Sequence, residues 1–291
     1  MTKRIIIGVG LSLMLIVVFL LSFGRNLADI IFSKVVRKET ATELSSPFSE
    51  PSAEPRERDE VKPESVSTSG TNSIQSNTDK FSNMVWIPGG KFMMGSTERV
   101  HDENDHPEHT VILDGFFMDT TEVTQTEYAR VMGKNPSHFK GCPDCPVENV
   151  TWDDAMAYCK KVGKRLPTEA EWEYACRAGS MAINYLDNDK NAWYEDNSEQ
   201  KTHPVGQKKP NGLGLYDMFG NVWEWCSDWY DSTYYGKSPS HNPQGPDSGM
   251  HRIFRGGSWI SNGAILHCAL RDWGVPDRGD NLMGFRCVCP R

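Results

Sequence analysis

Eight cysteines are the residues of this chain with the most distinctive chemistry, and all lie between positions 142 and 289. Cys142 and Cys145 form a Cys-Pro-Asp-Cys motif, a spacing found in zinc sites and in redox pairs. No second motif of this kind is present to complete a four-thiolate zinc site. An even cysteine count behind an apolar leader is instead typical of disulfides in an oxidising compartment. We therefore expect disulfide bonds rather than metal or redox chemistry.

The charge distribution excludes one class of partner. The net charge of the 291 residues is −8, but residues 1–38 contain six Lys or Arg and one Asp, so the remaining body is strongly acidic. Affinity for nucleic acid comes mainly from basic side chains that neutralise phosphates. An acidic body therefore predicts no nucleic-acid partner.

An uncharged run covers residues 5–23, between Lys3-Arg4 and Gly24-Arg25. Nineteen helical residues span roughly 28 Å, close to the thickness of a bilayer core. No small-x-small cleavage site follows, so an uncleaved membrane anchor is favoured over a cleaved signal peptide. Basic residues flank both ends, and the charges do not set the orientation. The cysteines do: a disulfide-bonded body predicts a single-pass inner-membrane protein whose domain faces the periplasm or cell exterior.

Residues 39–83 are rich in Ser, Thr, Pro and Glu and poor in large apolar side chains. Such a segment buries too little surface to offset its ordering entropy. We predict a disordered linker between the anchor segment 1–38 and a folded domain at 84–291.

Short elements are predicted in the folded part. Two strands flank the Pro88-Gly89-Gly90 turn, and another strand region contains a turn at Asp114-Gly115. Capping boxes predict three helix starts, at Thr124 with Glu127, Thr151 with Asp154, and Thr168 with Glu171. Gly133 and Gly179 are predicted to end the first and third helices. From residue 184 onward no sustained period appears, which predicts mostly irregular structure.

These residues carry a family resemblance. From Met84 to Arg291 the chain resembles the formylglycine-generating enzymes, or sulfatase-modifying-factor family, in the blocks MVWIPGGKFMMGS, DTTEVTQTEYARVMG, PVENVTWDDAMAYCKKVGKRLPTEAEWEYACRAG, THPVGQKKPNGLGLYDMFGNVWEW, FRGGSW and MGFRC. The resemblance implies an α+β fold related to C-type lectins, with little regular secondary structure. It also implies two disulfides, Cys159–Cys287 and Cys176–Cys268. Cys142–Cys145 and Cys226–Cys289 are the remaining combination.

A calcium site is implied by the same resemblance. In LYDMFGNVWEW the family binds a hard cation, here through the side chains of Asp217 and Glu224 and the carbonyls of Gly220 and Val222. Calcium prefers several oxygen ligands of this kind. The alternative is that both carboxylates are ordinary turn and surface groups. A second family calcium site would lie near residues 191–197, but the sequence departs from the pattern there, and no ligands are assigned.

The copper site of the family is absent. Aerobic members bind copper(I) through two cysteines spaced as Gly-Gly-Ser-aromatic-x-Cys-x4-Cys, and here Ser261 and Leu266 occupy those positions. Copper(I) prefers thiolates, which neither residue supplies. The nearby soft residues His251, His267, Cys226 and Cys289 form no recognisable substitute. The iron-dependent sulfoxide synthases on this fold use a histidine-rich domain, whereas residues 1–83 contain no histidine.

Two functions follow as hypotheses. The favoured one is a noncatalytic module that binds a protein, peptide or glycan, with a groove at Ser258, Ser261 and Trp273 and with Trp223 in the core. Lectin-like relatives place a variable surface after the same motif, and the corresponding residues here are Ile260, Ser261, Asn262, Ile265, Asp272, Trp273 and Asp280. The alternative to such a surface is simple loop residues between two disulfides. The second hypothesis is a formylglycine-generating-type oxidase of protein cysteine with an unrecognised metal arrangement.

Overall fold

The computed structural model of the chain describes residues 81–97, 105–180 and 188–290. The predicted membrane span at 5–23 and nearly all of the predicted linker lie outside these ranges. Among the described residues, no helix is long and apolar enough to cross a membrane. The boundaries at residues 38 and 83 therefore remain predictions.

All three helix starts are confirmed. The helices are α1 (Gln125–Met132), α2 (Trp152–Lys161) and α3 (Glu169–Arg177), followed by the single turn α4 (Asn188–Asn191). At each of the first three, the capping threonine accepts a hydrogen bond from the amide three residues on. The acidic side chain at that position accepts from the amide of the threonine. Reciprocal capping satisfies two otherwise unpaired amides within four residues, so this feature is readable from sequence.

The helix ends follow the sequence less closely. Gly133 ends α1 in the left-handed region at φ 74°, and its amide donates to the Ala129 carbonyl, as predicted. The cap of α3 is Ala178 at φ 49° instead of Gly179. Gly179 follows at φ 79°, so two successive residues take the left-handed conformation at this end.

The N-terminal strands form two small sheets. One has the order β1 (Met84–Ile87), β4 (Phe116–Asp119) and β9 (Val288–Pro290), and the other is the hairpin of β2 (Gly90–Met94) and β3 (His109–Leu113). All these pairs are antiparallel. The first and last strands, β1 and β9, therefore lie in the same sheet, on either side of β4.

A four-stranded sheet lies among the residues beyond 184, most of which are irregular, as predicted. Its order is β7 (Arg271–Gly274), β6 (Arg252–Arg255), β5 (Trp223–Trp229) and β8 (Met283–Gly284), with only β5 and β8 parallel. The first four residues of β5 are all buried. Burial on both faces removes the polar alternation that reveals a half-buried strand in a sequence.

Two apolar clusters form the core. One packs Trp172 of α3 among residues of the first sheet, the hairpin and β6, including Ile87, Val111 and Ile253. The second packs Tyr128 and Tyr158, from α1 and α2, against Phe285. The segments that carry the predicted site residues, 217–224 and 256–268, run beside these clusters and are held by them.

Candidate functional site

A glycine turn directly after β6 holds the segment in which the family places its copper ligands. Gly256 and Gly257 adopt φ of 98° and 80°, a region that other residues rarely enter. The Gly256 carbonyl accepts from the Gly220 amide at 2.9 Å, and the Trp259 amide donates to the Asn221 carbonyl at 2.9 Å. These bonds attach the turn to the loop that carries the predicted calcium ligands.

Ser261 and Leu266 meet at this turn. A Cβ atom built on Gly257 would lie 3.3 Å from Ser261 Oγ and would collide with Leu266 Cδ2. The structure therefore brings together the two positions that hold copper thiolates in the family. Here they present a hydroxyl, which accepts from the Ser258 amide at 2.9 Å, and an alkyl group. Neither group is a ligand for copper(I).

The predicted groove at Ser258 and Ser261 is wrong. Ser258 is 0% exposed and Ser261 is 8% exposed, because the tight turn folds both side chains inward. Trp223 is 9% exposed and packs edge-on against Phe254, which agrees with its predicted place in the core. Of the three groove candidates, only Trp273 is partly exposed.

Trp273 lines a surface cavity of about 470 Å³ between β7 and the loop that follows it. Its indole stacks on Tyr230 with ring centroids 4.2 Å apart, on the same face of the sheet as Ile253 and opposite to Phe254. The remaining walls are Trp225, His251, Phe254, Gly274, Val275, Arg278, Gly279, Asp280 and Met283. Aromatic walls with a few charged groups at the rim are typical of ligand sites.

The two side chains predicted to bind calcium, Asp217 and Glu224, lie in different surroundings. Glu224 is fully buried, and its carboxylate accepts from Arg286 Nε and Nη2, each at 2.7 Å, and from Trp172 Nε1 at 2.8 Å. Burial by itself lowers the pKa of Arg286, but the charge of Glu224 raises it, and the pKa lies above its ordinary value. A carboxylate held by a guanidinium in this way is a poor calcium ligand, so Glu224 does not fit the predicted role.

Asp217 does fit a cation. It lies at φ 54°; its Oδ2 accepts from the Gly206 amide at 2.7 Å, whereas its buried Oδ1 has no donor among the described residues. Both carboxylate oxygens of Glu122, which is 1% exposed, are likewise buried without a donor there. Glu122 is within hydrogen-bonding reach of Asp217. Three acceptors without donors need a shared proton or a cation.

The pKa directions of this pair follow from its surroundings. Burial, and then the charge of Asp217, raise the pKa of Glu122 well above its ordinary value. Burial also raises the pKa of Asp217. No group of three or more His, Cys, Asp or Glu in the described ranges could hold a metal ion. A cation at Asp217 and Glu122 would therefore also need backbone oxygens.

The cysteines occupy two kinds of position. Disulfides join Cys176 to Cys268 and Cys142 to Cys145. The sulfur atoms of Cys159 and Cys287 are buried 3.4 Å apart without a bond, so the pairing predicted for them stays a prediction. The remaining two, Cys226 in β5 and Cys289 in β9, are buried free thiols.

A buried ion cluster supports the glycine turn, and the sequence analysis did not identify it. We call it the Glu169 cluster: Glu169, Glu173, Arg177, Arg255 and Arg271. Glu169 accepts from Arg255 at 2.7 Å and from Arg271 at 2.6 and 2.9 Å. Burial opposes ionisation of Glu169, but the charges of Arg271 and Arg255 hold its pKa below the ordinary value. Arg255 directly precedes Gly256, and its ion pairs with Glu169 and Glu173 of α3 therefore attach the start of the glycine turn to that helix.

Asp228 should make the stability of the domain depend on pH. It is buried, accepts from the Glu169 amide at 2.9 Å, and has a pKa raised to about 7 by burial and then by the Glu169 charge. Because the folded-state pKa exceeds the unfolded value, its stabilising contribution is complete below about pH 4 and is lost as pH rises through 7. We expect Asp228→Asn to remove about 4 kcal/mol of the pH-dependent free energy of unfolding between pH 4 and 8, measured in urea.

The matched control for this experiment is Asp231→Asn. Asp231 is a surface carboxylate whose hydrogen bond with Lys237, followed by those from Thr233, lowers its pKa to about 2. The change should leave the slope between pH 4 and 8 intact. An unchanged slope in Asp228→Asn would contradict the assignment to Asp228.

The mixed α+β domain, with its glycine turn attached to a buried acidic loop, agrees with the fold that the sequence resemblance implies. Residues 70–290 match the model of the sulfatase-modifying factor enzyme 1-like domain, and the chain belongs to that family. The formylglycine-generating enzyme of Streptomyces coelicolor is 34% identical over 276 residues, covering 70% of this chain and 88% of that protein. The family resemblance in the sequence is thereby confirmed.

Relatives with other names share the domain. The serine/threonine-protein kinase pkn1 of Chlamydia caviae is 36% identical over 264 residues, which cover 80% of this chain but 40% of that protein. Among solved structures, Treponema denticola variable protein 1 superposes with a TM-score of 0.67 at 32% identity, covering 72% of this chain and 95% of that one. The α+β fold predicted from the sequence is therefore confirmed for the domain, while the relatives leave a catalytic or a binding role open.

Proposed function

We propose that this domain is a noncatalytic binding module and that the cavity beside Trp273 is its binding site. The observation that carries the proposal is the pair Ser261 and Leu266, which meet over Gly257 where the catalytic relatives need two thiolates. Without sulfur donors the site has no means to hold copper(I) and activate oxygen. The domain has the family fold without the copper ligands, and we therefore propose that it functions by binding a ligand at its surface.

The walls of the Trp273 cavity support recognition of a protein, peptide or glycan. The aromatic side chains of Trp225 and Phe254, which flank Gly274, offer apolar surface to a ligand ring or side chain. Arg278 and Asp280 provide charges of both signs beside it.

Phe254→Ala, which removes an aromatic wall of the cavity, should weaken ligand capture. The full-length chain is passed over a panel of immobilised glycans and a displayed peptide library, and the retained ligands are then offered to the variant. Loss of one buried aromatic anchor commonly costs 2 kcal/mol or more, about thirtyfold in affinity. Trp86→Ala is the matched control because Trp86 is also partly exposed but lies in the first sheet. Equal retention of the ligands by both variants would place the binding site elsewhere.

We propose calcium as a structural ion of the domain, bound by the side chains of Asp217 and Glu122. The carbonyl oxygens of Gly220 and Val222 would be further ligands. The ion would neutralise carboxylate oxygens that accept no hydrogen bond, and it would supply no redox chemistry. At a calcium concentration one hundred times the Kd, the wild-type chain should gain about 2.7 kcal/mol, or roughly 5–10 °C in unfolding midpoint.

The calcium experiment compares three proteins in EGTA and in calcium. Asp217→Asn should lose the calcium-induced shift, whereas the surface variant Asp231→Asn should retain it. Magnesium serves as the ion control because its smaller, octahedral shell does not suit an irregular set of protein oxygens. A wild-type midpoint that does not respond to calcium would refute the ion.

We also propose that the domain is exported and anchored to a membrane. The apolar run at 5–23 and the even cysteine count support export and anchoring. We propose a single-pass inner-membrane protein that holds the domain outside the cytoplasm on a linker. Protease added to spheroplasts should then digest the domain while the membrane stays intact.

A further inference from the structure

The Cys142–Cys145 disulfide lies where a structural crosslink would contribute little. It closes a sequence separation of 3, whereas Cys176–Cys268 closes a separation of 92. In the chain-entropy model, the stabilisation by a disulfide grows with the length of the loop that it closes. The shorter bond therefore restricts the unfolded chain far less than the longer one does.

Backbone hydrogen bonds already hold the loop that contains this disulfide. The Cys145 amide donates to the Cys142 carbonyl at 3.1 Å. The Pro143 and Cys145 carbonyls accept from the first amides of α1, and the Asp144 carbonyl accepts from the Val205 amide at 2.9 Å. The conformation of the loop thus has several supports besides the sulfur bond, and opening that bond need not unfold the loop.

The two sulfur atoms differ in access. Cys142 is partly exposed, whereas Cys145 is 1% exposed. Both line a surface cavity of about 480 Å³ with His138, Lys140, Lys201 and His203. A reagent in this cavity can approach Cys142, while Cys145 is shielded behind it.

The charges around the cavity favour an opened disulfide. Lys140 and Lys201 are exposed at its rim. The loop also rests on the N-terminus of α1, through the bonds from Gln125 and Thr126. Nearby cations stabilise the thiolate that forms when a disulfide opens. The opposing acids are the exposed Asp144 and Glu199, and Glu199 is paired with Lys201 at 2.8 Å.

We propose that Cys142–Cys145 is a thiol–disulfide exchange site that oxidises a dithiol on a partner polypeptide. A partner thiolate attacks Cys142 Sγ, the bond to Cys145 breaks, and Cys145 leaves as a thiolate that takes up a proton. The Thr202 carbonyl lies 3.7 Å from Cys145 Sγ, close enough to accept from the thiol so formed. The second partner thiolate then attacks the mixed disulfide and releases Cys142. The partner loses two electrons and two protons, and the Cys142–Cys145 pair gains them.

The first experiment measures reduction of the full-length chain by dithiothreitol, read by alkylation and mass spectrometry. Cys142–Cys145 should open at least tenfold faster than the buried Cys176–Cys268, with the circular dichroism spectrum unchanged. Equal resistance of the two bonds, or loss of the folded spectrum when Cys142–Cys145 opens, would overturn the proposal.

The second experiment uses a synthetic peptide that carries two thiols as the probe. The oxidised wild-type chain should convert one peptide per chain to its disulfide, and Cys145→Ser should accumulate a mixed disulfide at Cys142 when the peptide is supplied in oxidised form. The double variant Cys142→Ser with Cys145→Ser should fold but oxidise the peptide at least tenfold more slowly. Undiminished oxidation by that variant, or its failure to fold, would overturn the proposal.

Discussion

Ser261→Cys combined with Leu266→Cys is expected to give this chain a copper(I) site that the wild type lacks. Under anaerobic conditions the double variant should bind about one copper per chain, while the wild type should bind none stoichiometrically. The physical reason is that the two positions already meet over Gly257, so the exchange supplies soft thiolates without a change of fold. Copper is measured by competition with a chromogenic copper(I) chelator.

The single variants are the matched controls for this experiment. Ser261→Cys or Leu266→Cys alone adds one thiolate and should bind copper far more weakly than the pair. Oxygen uptake is then followed with a Cys-x-Pro-x-Arg peptide. Stoichiometric copper in the wild type, together with an aldehyde product on the peptide, would refute the proposed noncatalytic function and favour the oxidase hypothesis.

Glu169→Gln is expected to be the most damaging single change of charge in the described domain. The variant removes the charge of the carboxylate that accepts from both Arg255 and Arg271, and both guanidinium groups stay buried. Removal of one partner from a buried ion pair typically costs 3–5 kcal/mol, because the remaining charge is not solvated. For a domain of about 200 residues, this loss lowers the unfolding midpoint by roughly 10 °C.

The matched control is Glu199→Gln, which removes the carboxylate of an exposed ion pair with Lys201. Surface pairs are screened by water, so no measurable change in midpoint is expected. Because the Glu169 cluster also fixes the start of the glycine turn, Glu169→Gln should weaken ligand capture at the Trp273 cavity as well as stability. A midpoint shift no larger than that of the control would show that the cluster is not the support we infer.

Features that depend on neighbouring residues are readable from the sequence, whereas features that depend on distant partners are not. The capping box at Thr168 involves residues three apart and was predicted correctly. The seven-residue strand β5 was missed because its residues are buried on both faces. Ser258 was placed in a groove by the family pattern, whereas the turn after Arg255 folds its side chain into the interior.

The sequence by itself determined the family, the three helix starts and the loss of both copper thiolates. These features depend on residue type, or on partners within one turn of a helix. The tertiary structure alone decided that Glu224 pairs with Arg286, while Asp217 and Glu122 keep oxygens without donors. It also decided that Glu169 joins Arg255 and Arg271, more than 80 residues away. A buried charge takes whichever opposite charge the packing brings to it, and that choice has no local signal in the chain.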